Sequence, residues 1–326
     1  MAVLITGGAG YIGSHMAYAV LERGEDVVVL DNLSTGVRAQ VPSAARFYEG
    51  EVADRDLVGA ILRDHGVEEV LHFAAATVVP DSVSDPLHYY ANNTSSSRSL
   101  LEACQAHGIK RFIFSSTAAV YGETDAPTVD EAAPTEPANP YGRSKLMTEW
   151  MLHDLARASD LRYVALRYFN VAGADPDGRT GQSTPRATHL IKRACQVALG
   201  RVPALGIFGS DFPTPDGTGV RDYIHVSDLV AAHALALEHL RSGGASTKFN
   251  CGYGRGFSVR EVVRSVERIS GRPLPVEELP RRPGDPPAVV ADPTRIMSEL
   301  SWKPQYDALD EIVRTAFAWE SRLPGA

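Results

Sequence analysis

The chain has 326 residues, enough for one large or two moderate domains around a substantial core, and its 44% apolar and 22% charged residues are ordinary for a soluble globular protein. A net charge of −8 argues against nucleic acid or an anionic membrane as partner, although a small anionic ligand needs only local arginines. No apolar run approaches the ~18 residues of a membrane span. The stretch Met1 to Gly7 reaches glycine too early for a signal peptide. Cys104, Cys195 and Cys251 are too scattered for a disulfide frame or a zinc site. A cytoplasmic protein without a bound metal is expected, its thiols acting as small core hydrophobes.

Val3-Leu4-Ile5-Thr6 reads as a short buried strand, followed at once by Gly7-Gly8-Ala9-Gly10-Tyr11-Ile12-Gly13 and a helical pattern through Leu21. Strand, glycine turn and helix in that order let the backbone approach a pyrophosphate at the helix N-terminus, the mark of dinucleotide binding. The next strand, Val27 to Leu30, ends in Asp31, eighteen residues after Gly13. A carboxylate there accepts from a ribose 2′-OH and repels a 2′-phosphate, which selects NAD over NADP.

Apolar runs then alternate with helical patterns. Strands are expected at Val70–Phe73, Arg111–Ser115 and Tyr163–Arg167, with helices around Arg55–His65, Tyr89–His107 and Tyr141–Arg157. The alternation predicts an α/β fold, a doubly wound parallel Rossmann sheet with right-handed crossovers and ligands beyond the carboxyl ends of its strands, where Thr117 falls. Ala126 to Pro140 carries four prolines and is expected to cross the surface as a loop.

Tyr141-Gly142-Arg143-Ser144-Lys145 opens the helix that follows, and positions i and i+4 share a helical face. A tyrosine of pKa about 10 needs a shift of roughly 3 units, about 4 kcal/mol, to act as a base near neutrality. One cation about 4 to 5 Å away at an effective dielectric near 20 supplies about 3 to 4 kcal/mol. The Tyr-x-x-x-Lys pair therefore suits a phenolate base, with an oxidised nicotinamide ring as the second cation that completes the shift.

After Gly173 come a turn-rich loop (Asp175 to Gly181), a helix over Ala187 to Gly200, a glycine- and proline-rich stretch from Phe208 to Gly219, helices at Ser227–Leu240 and Ser258–Ile269, and a second proline cluster from Pro273 to Pro293. This predicts a smaller α/β substrate lobe over residues 174–326 that closes over the ligand. The dinucleotide-binding domain covers residues 1–173, joined by 222–252.

These features resemble the extended short-chain dehydrogenase/reductase family, and within it the members that act on nucleotide sugars. The resemblance runs nearly end to end. Its segments are Thr6 to His15, Leu30-Asp31-Asn32-Leu33, His72-Phe73-Ala74-Ala75, Phe114-Ser115-Ser116-Thr117-Ala118-Ala119-Val120-Tyr121-Gly122, Pro140 to Lys145, Leu166-Arg167-Tyr168-Phe169-Asn170 and Asp216 to Val226, the last particular to epimerases of the group.

The resemblance implies inversion at C4 of a UDP-hexose, interconverting UDP-galactose and UDP-glucose. Tyr141 would deprotonate the 4-OH while NAD takes the C4 hydride, Lys145 would lower the tyrosine pKa and hold the nicotinamide ribose, and Thr117 would bond the O4 region. The 4-ketose would turn over before the hydride returns, so the site must grip the nucleotide firmly and the hexose weakly. The implied cofactor contacts are Gly7, Gly10, Tyr11, Ile12, Gly13, Asp31, Asn32, Glu51, Val52, Phe73, Ala74, Ala75, Asn92, Tyr141, Lys145 and Tyr168. The implied substrate contacts are Thr117, Tyr141, Phe169, Asn170, His189, Phe208, Arg221, Arg282, Asp285 and Val289. Arginine forks suit a diphosphate, and Phe208 suits a uracil ring.

The chain departs from the family at several of these places. Glu51 replaces a common aspartate, Thr77 a lysine, Pro80 a glycine, and His189 an asparagine; Thr77 and Pro80 point to weaker cofactor retention. Val289 stands where some members have a tyrosine, which leaves UDP-GlcNAc and UDP-GalNAc open as substrates, as well as a modified UDP-sugar of a specialised pathway. A 4,6-dehydratase would place Asp-Glu after the threonine, where this chain has Ala118-Ala119, and a decarboxylase would likewise expect a carboxylate there. A non-catalytic NAD-sensing regulator would have no need of Thr117, Tyr141 and Lys145 together. By the same resemblance a homodimer is expected, paired through the helices around Tyr89–His107 and Tyr141–Arg157.

Overall fold

In the computed structural model, which describes residues 2–123, 126–184, 188–282 and 285–324, the chain divides into two units. Residues 1–122, 134–167 and 230–249 form the first; residues 123–133, 168–229 and 250–326 form the second.

The first unit is built on a seven-stranded sheet of β1 (Ala2–Thr6), β2 (Asp26–Asp31), β3 (Arg46–Glu49), β4 (Val67–His72), β5 (Arg111–Thr117), β6 (Arg162–Tyr168) and β10 (Thr247–Cys251), in the order β10-β6-β5-β4-β1-β2-β3. β1 pairs in parallel with both β2 and β4, β2 with β3, and β4 with β5. All five residues of β1 are buried, as a central parallel strand covered by helices on both faces requires. Val28, Leu30, Val70, Phe112 and Phe114 continue that core. β3 escapes the sequence reading because it is an edge strand of mixed polarity, Arg46-Phe47-Tyr48-Glu49.

The helices Tyr11–Glu22, Arg55–Asp64 and Pro140–Ala158 fall within a residue or two of expectation. Pro140 opens its helix rather than closing the loop before it, because the N1 position tolerates the missing N–H. The helix expected over Tyr89–His107 is more broken. Short helices Val79–Ser84 and Pro86–Tyr89 lead into a wide π-helical turn, Tyr90–Ser95, and only then into the α-helix Ser96–Ala106. The loop before Pro140 is not wholly at the surface. Val129 and Glu131 are buried, Val129 bridging Ala291 and the Glu131 carboxylate accepting the Asn250 N–H at 2.7 Å.

In the second unit β9 (Val220–His225) is flanked by β7 (Asn170–Ala172), β11 (Gly256–Ser258) and β13 (Ala288–Val289). A separate pair joins β8 (Leu205–Phe208) to β12 (Val276–Leu279). Its core is made by the helices Leu190–Ala198, Val259–Ser270 and Leu309–Arg322 through Ile191, Cys195, Val262, Val266, Ile312 and Val313. The last helix was missed in the sequence, although Leu309, Ile312, Val313, Ala316 and Phe317 carry the i, i+3, i+4 spacing of an apolar face. The helix expected from Ala187 begins at Leu190; Ala187, and Pro283 with Gly284 in the second proline cluster, lie outside the described residues. The three thiols are buried, and among the described residues no helix is long and apolar enough to cross a membrane.

Candidate active site

The glycine loop after β1 is shaped by close backbone approach. Gly7 has φ +71°, and a Cβ on it would lie 2.5 Å from the Ala74 nitrogen. A Cβ on Gly13 would meet the Gly7 and Gly8 backbone at 2.9 Å. The following helix has no side-chain cap at Gly10 and no acidic residue in its first turn, so the positive end of its dipole, from Tyr11 to Gly13, faces the turn without an acidic side chain of its own helix. That cradle fits a dinucleotide diphosphate.

Asp31 ends β2 and is buried. Its carboxylate accepts from Ala9 N at 2.9 Å and Leu33 N at 2.8 Å, and burial raises its pKa against the pull of those two bonds. Asn32 Nδ2 donates to Glu51 Oε1 at 3.0 Å, so the longer glutamate reaches the end of β2, while Val52 beside it is buried. Phe73, Ala74 and Ala75 run on from β4, Thr77 is exposed, and Pro80 lies in the first turn of a short helix. Asn92 sits in the π-helical turn, and Tyr168 is the last residue of β6.

Tyr141, Lys145 and Thr117 converge in the first unit, all buried. The helix that carries the first two is started by Asn139, whose side chain accepts Gly142 N at 2.9 Å. Thr117 is the last residue of β5 rather than lying beyond it. Its hydroxyl accepts Ala119 N at 3.1 Å and bonds the Tyr141 phenol in the sense that favours the phenolate. Lys145 Nζ donates to Ser115 O at 2.9 Å and lies 5.0 Å from the centre of the Phe114 ring.

Burial pushes the Tyr141 phenol up to about 12, against the lowering bond from Thr117, and pushes Lys145 down to about 7. Desolvation, which penalises the charged form of both groups, sets both directions, in place of the lowering by the lysine that the i, i+4 spacing predicts. The phenol is thus held protonated while Lys145 is brought close to neutrality, and a further cation in the site is what would favour phenolate.

Three residues to which the sequence reading gave no role, Glu149, Asn93 and His72, complete this frame. Glu149, one turn beyond Lys145, takes a forked Arg167 (3.0 Å to Nε) and the Ser116 hydroxyl at 2.5 Å. The residues of β5 are therefore tied in turn to Lys145, Glu149 and Tyr141. The spacing of Glu149 after Lys145 was the available signal. Asn93 accepts Ala76 N at 2.8 Å and donates to Ala76 O and Ser144 Oγ, each at 3.0 Å; nothing local in the sequence announces the turn that aims it.

His72 bridges Thr6 Oγ1 at 2.7 Å and Ser97 Oγ at 2.8 Å. Ser97 gives its proton to Asn93 O, so Nε2 of His72 must donate to Ser97 and Nδ1 accept from Thr6. Burial, then the nearby Lys145, keep this imidazole neutral, down to about 3.

In the second unit the expected nucleotide contacts group in part. Arg282 lies over the Phe208 ring, 4.1 Å from its centre, and Asp285 is 3.4 Å from Arg282 and 3.9 Å from Arg221. Val289 is the β13 partner of Arg221. Asn170 opens β7 opposite Tyr223 and is exposed, whereas Phe169 is buried. His189 is exposed at the N-cap of its helix, 3.4 Å from Gln182, and has no link to the Arg221 group among the described contacts.

Known proteins resemble this chain over nearly its whole length. Residues 3–252 match the NAD dependent epimerase/dehydratase family. The chain is 58% identical over 321 residues to the UDP-glucose 4-epimerase of Azospirillum brasilense, covering 98% of this chain and 92% of that one. The crystal structure of UDP-glucose 4-epimerase from Brucella ovis in complex with NAD superposes with a TM-score of 0.95 at 46% identity, covering 98% of each chain. That from Bifidobacterium longum in complex with NAD+ and UDP gives 0.94 at 36%, covering 100% of this chain and 99% of that one. With its glycine cradle, its Tyr141–Lys145 pair and these likenesses over nearly its whole length, the chain belongs to the NAD dependent epimerase/dehydratase family.

Proposed function

We propose that this chain is an NAD-dependent isomerase that interconverts UDP-galactose and UDP-glucose by inverting C4 of the hexose. The observation that carries the reading is the buried Thr117–Tyr141–Lys145 constellation with Ala118 and Ala119 directly beside it. Epimerisation at C4 needs one proton acceptor and a hydride carrier, whereas dehydration needs an added acid and base that two alanines cannot supply.

When bound, NAD supplies the hydride acceptor and donor at C4. The N-terminal turn of the helix at Tyr11 to Gly13 would hold its diphosphate, and Asp31 its ribose. Tyr141 takes the proton of the 4-OH and later returns it. Thr117 donates to the phenolate oxygen of Tyr141 before it takes that proton, and again once the proton has been returned. Lys145, whose Nζ is held against Ser115 O, would favour the phenolate when protonated and hold the nicotinamide ribose. Arg221 and Arg282 offer a diphosphate two forks of donors in place of the single carboxylate of Asp285, Phe208 offers the uracil a ring face, and Asp285 offers the ribose an acceptor.

Purified protein should convert UDP-galactose to UDP-glucose without added reductant and release NAD(H) on denaturation. A 4-keto-6-deoxy product instead would establish the dehydratase reading. Relative rates on UDP-GlcNAc and UDP-GalNAc measure how far Val289 opens the pocket.

We also propose a cytoplasmic homodimer. Val83, Leu87 and Trp150 are 64%, 77% and 57% exposed, and lie on the short helices at 79–89 and on the Pro140–Ala158 helix. Such side chains gain from burial against a second copy. Light scattering should give twice the chain mass; the mass of a single chain would remove the proposal.

A further inference from the structure

We infer that Asp222 is a positioning residue for nucleotide binding, which holds Arg221 and Val289 in place by pinning the chain on both sides of β9. The inference rests on the reading of Arg221 as a ligand of UDP.

Asp222 is completely buried. One carboxylate oxygen accepts Tyr253 N at 2.9 Å, and the other accepts Gly254 N at 2.9 Å and Ala291 N at 3.2 Å. Those donors are placed with respect to Arg221. β13 pairs with β9 through Ala288–Val220 and Val289–Arg221, and Ala291 lies two residues past its end. β11 pairs with β9 through Gly256–Asp222 and Phe257–Arg221, and Gly254 lies two residues before its start. Both strands beside Arg221 are therefore anchored just beyond their ends by the next side chain of β9. Successive side chains of a strand point to opposite faces, so the anchor can be buried while Arg221 is presented on the other side.

The chemistry of the site calls for a carboxylate. Three backbone N–H groups point at it, and only an acceptor at both ends meets them all. The turn is built around the same group. Gly254 has φ +72°, and a Cβ on Gly252 would lie 2.6 Å from Oδ2 of Asp222 and 2.7 Å from Cβ of Ala291. The carboxamide introduced by Asp222→Asn, in either orientation, would turn its NH2 toward at least one N–H.

The test titrates UDP into the intact protein by calorimetry and follows epimerisation of UDP-galactose for the wild type, Asp222→Asn, Gly252→Ala, Arg221→Met and the Asp222→Asn/Arg221→Met double variant. Gly252→Ala displaces the same carboxylate without removing its charge, and serves if Asp222→Asn fails to fold. Asp222→Asn and Gly252→Ala should each weaken UDP by about tenfold or more and raise KM in step, with kcat within about threefold of wild type. In the Arg221→Met background, Asp222→Asn should cost less than about twofold further. Unchanged UDP affinity with kcat lost, or effects of the two substitutions that simply multiply, would overturn the inference. A wild type that epimerises but shows no loss of UDP affinity in either variant sinks this inference alone. A wild type that binds no UDP sinks the functional reading along with it.

Discussion

Replacing Tyr141 with Phe should lower kcat by about 10³-fold while UDP binds as in the wild type. The ring is buried at the start of its helix, and Phe keeps that volume, so packing survives the change. What is lost is one oxygen: the group that accepts the substrate proton and the partner of the Thr117 hydroxyl. No neighbour takes over. Ala118 and Ala119 bear no titratable group, Lys145 is held by Ser115 O, and His72 has both ring nitrogens engaged and stays neutral. Steady-state kinetics on UDP-galactose, UDP calorimetry and a melting curve check this together. An equal loss of UDP affinity would show that the tyrosine is structural, and retained turnover would place the base elsewhere.

Gly13→Ala should yield protein with less than about a tenth of the wild-type NAD content and a stability lower by about 1 to 3 kcal/mol. The added Cβ would meet backbone atoms of Gly7 and Gly8 at 2.9 Å, with the Gly7 carbonyl oxygen closer still. Backbone cannot step aside as the end of a flexible side chain can. The loop must open, and with it the cradle of amides at Tyr11 to Gly13. Gly10→Ala is the graded comparison, since its Cβ would meet only the Gly7 oxygen, at 3.1 Å, and should cost less of both quantities. Nucleotide released on denaturation, counted per chain, and the melting temperature are the measurements. Wild-type NAD content in Gly13→Ala would mean that the dinucleotide does not use this turn.

Much of the site was legible because it is local. The glycine spacing from Gly7 to Gly13 and the step to Asp31 follow from the needs of one strand–turn–helix unit, and β1 emerges where the apolar run places it. Tyr141 and Lys145, four positions apart, share one helix face, and both side chains are buried there. The broken helix after Thr77 was illegible because Pro80 and Pro86 each permit a new helical start, so composition does not say where one helix ends. β3 was lost to its polarity at a sheet edge.

By itself, then, the sequence determined the parallel sheet, the glycine turn and the pairing of Tyr141 with Lys145 on one helix face, because periodicity and short spacings fix which side chains share a face. Tertiary structure alone decided the electrostatics of that pair. The desolvation that pushes Tyr141 up and Lys145 down is the sum of many distant neighbours, and it reverses the direction that a two-charge estimate gives. It also decided the partners of the buried polar groups: His72 with Thr6, Glu149 with Arg167, and Asp222 with Ala291 are joined across the fold. A buried charge or polar atom must find its complement wherever packing places one, and no local pattern records where that will be.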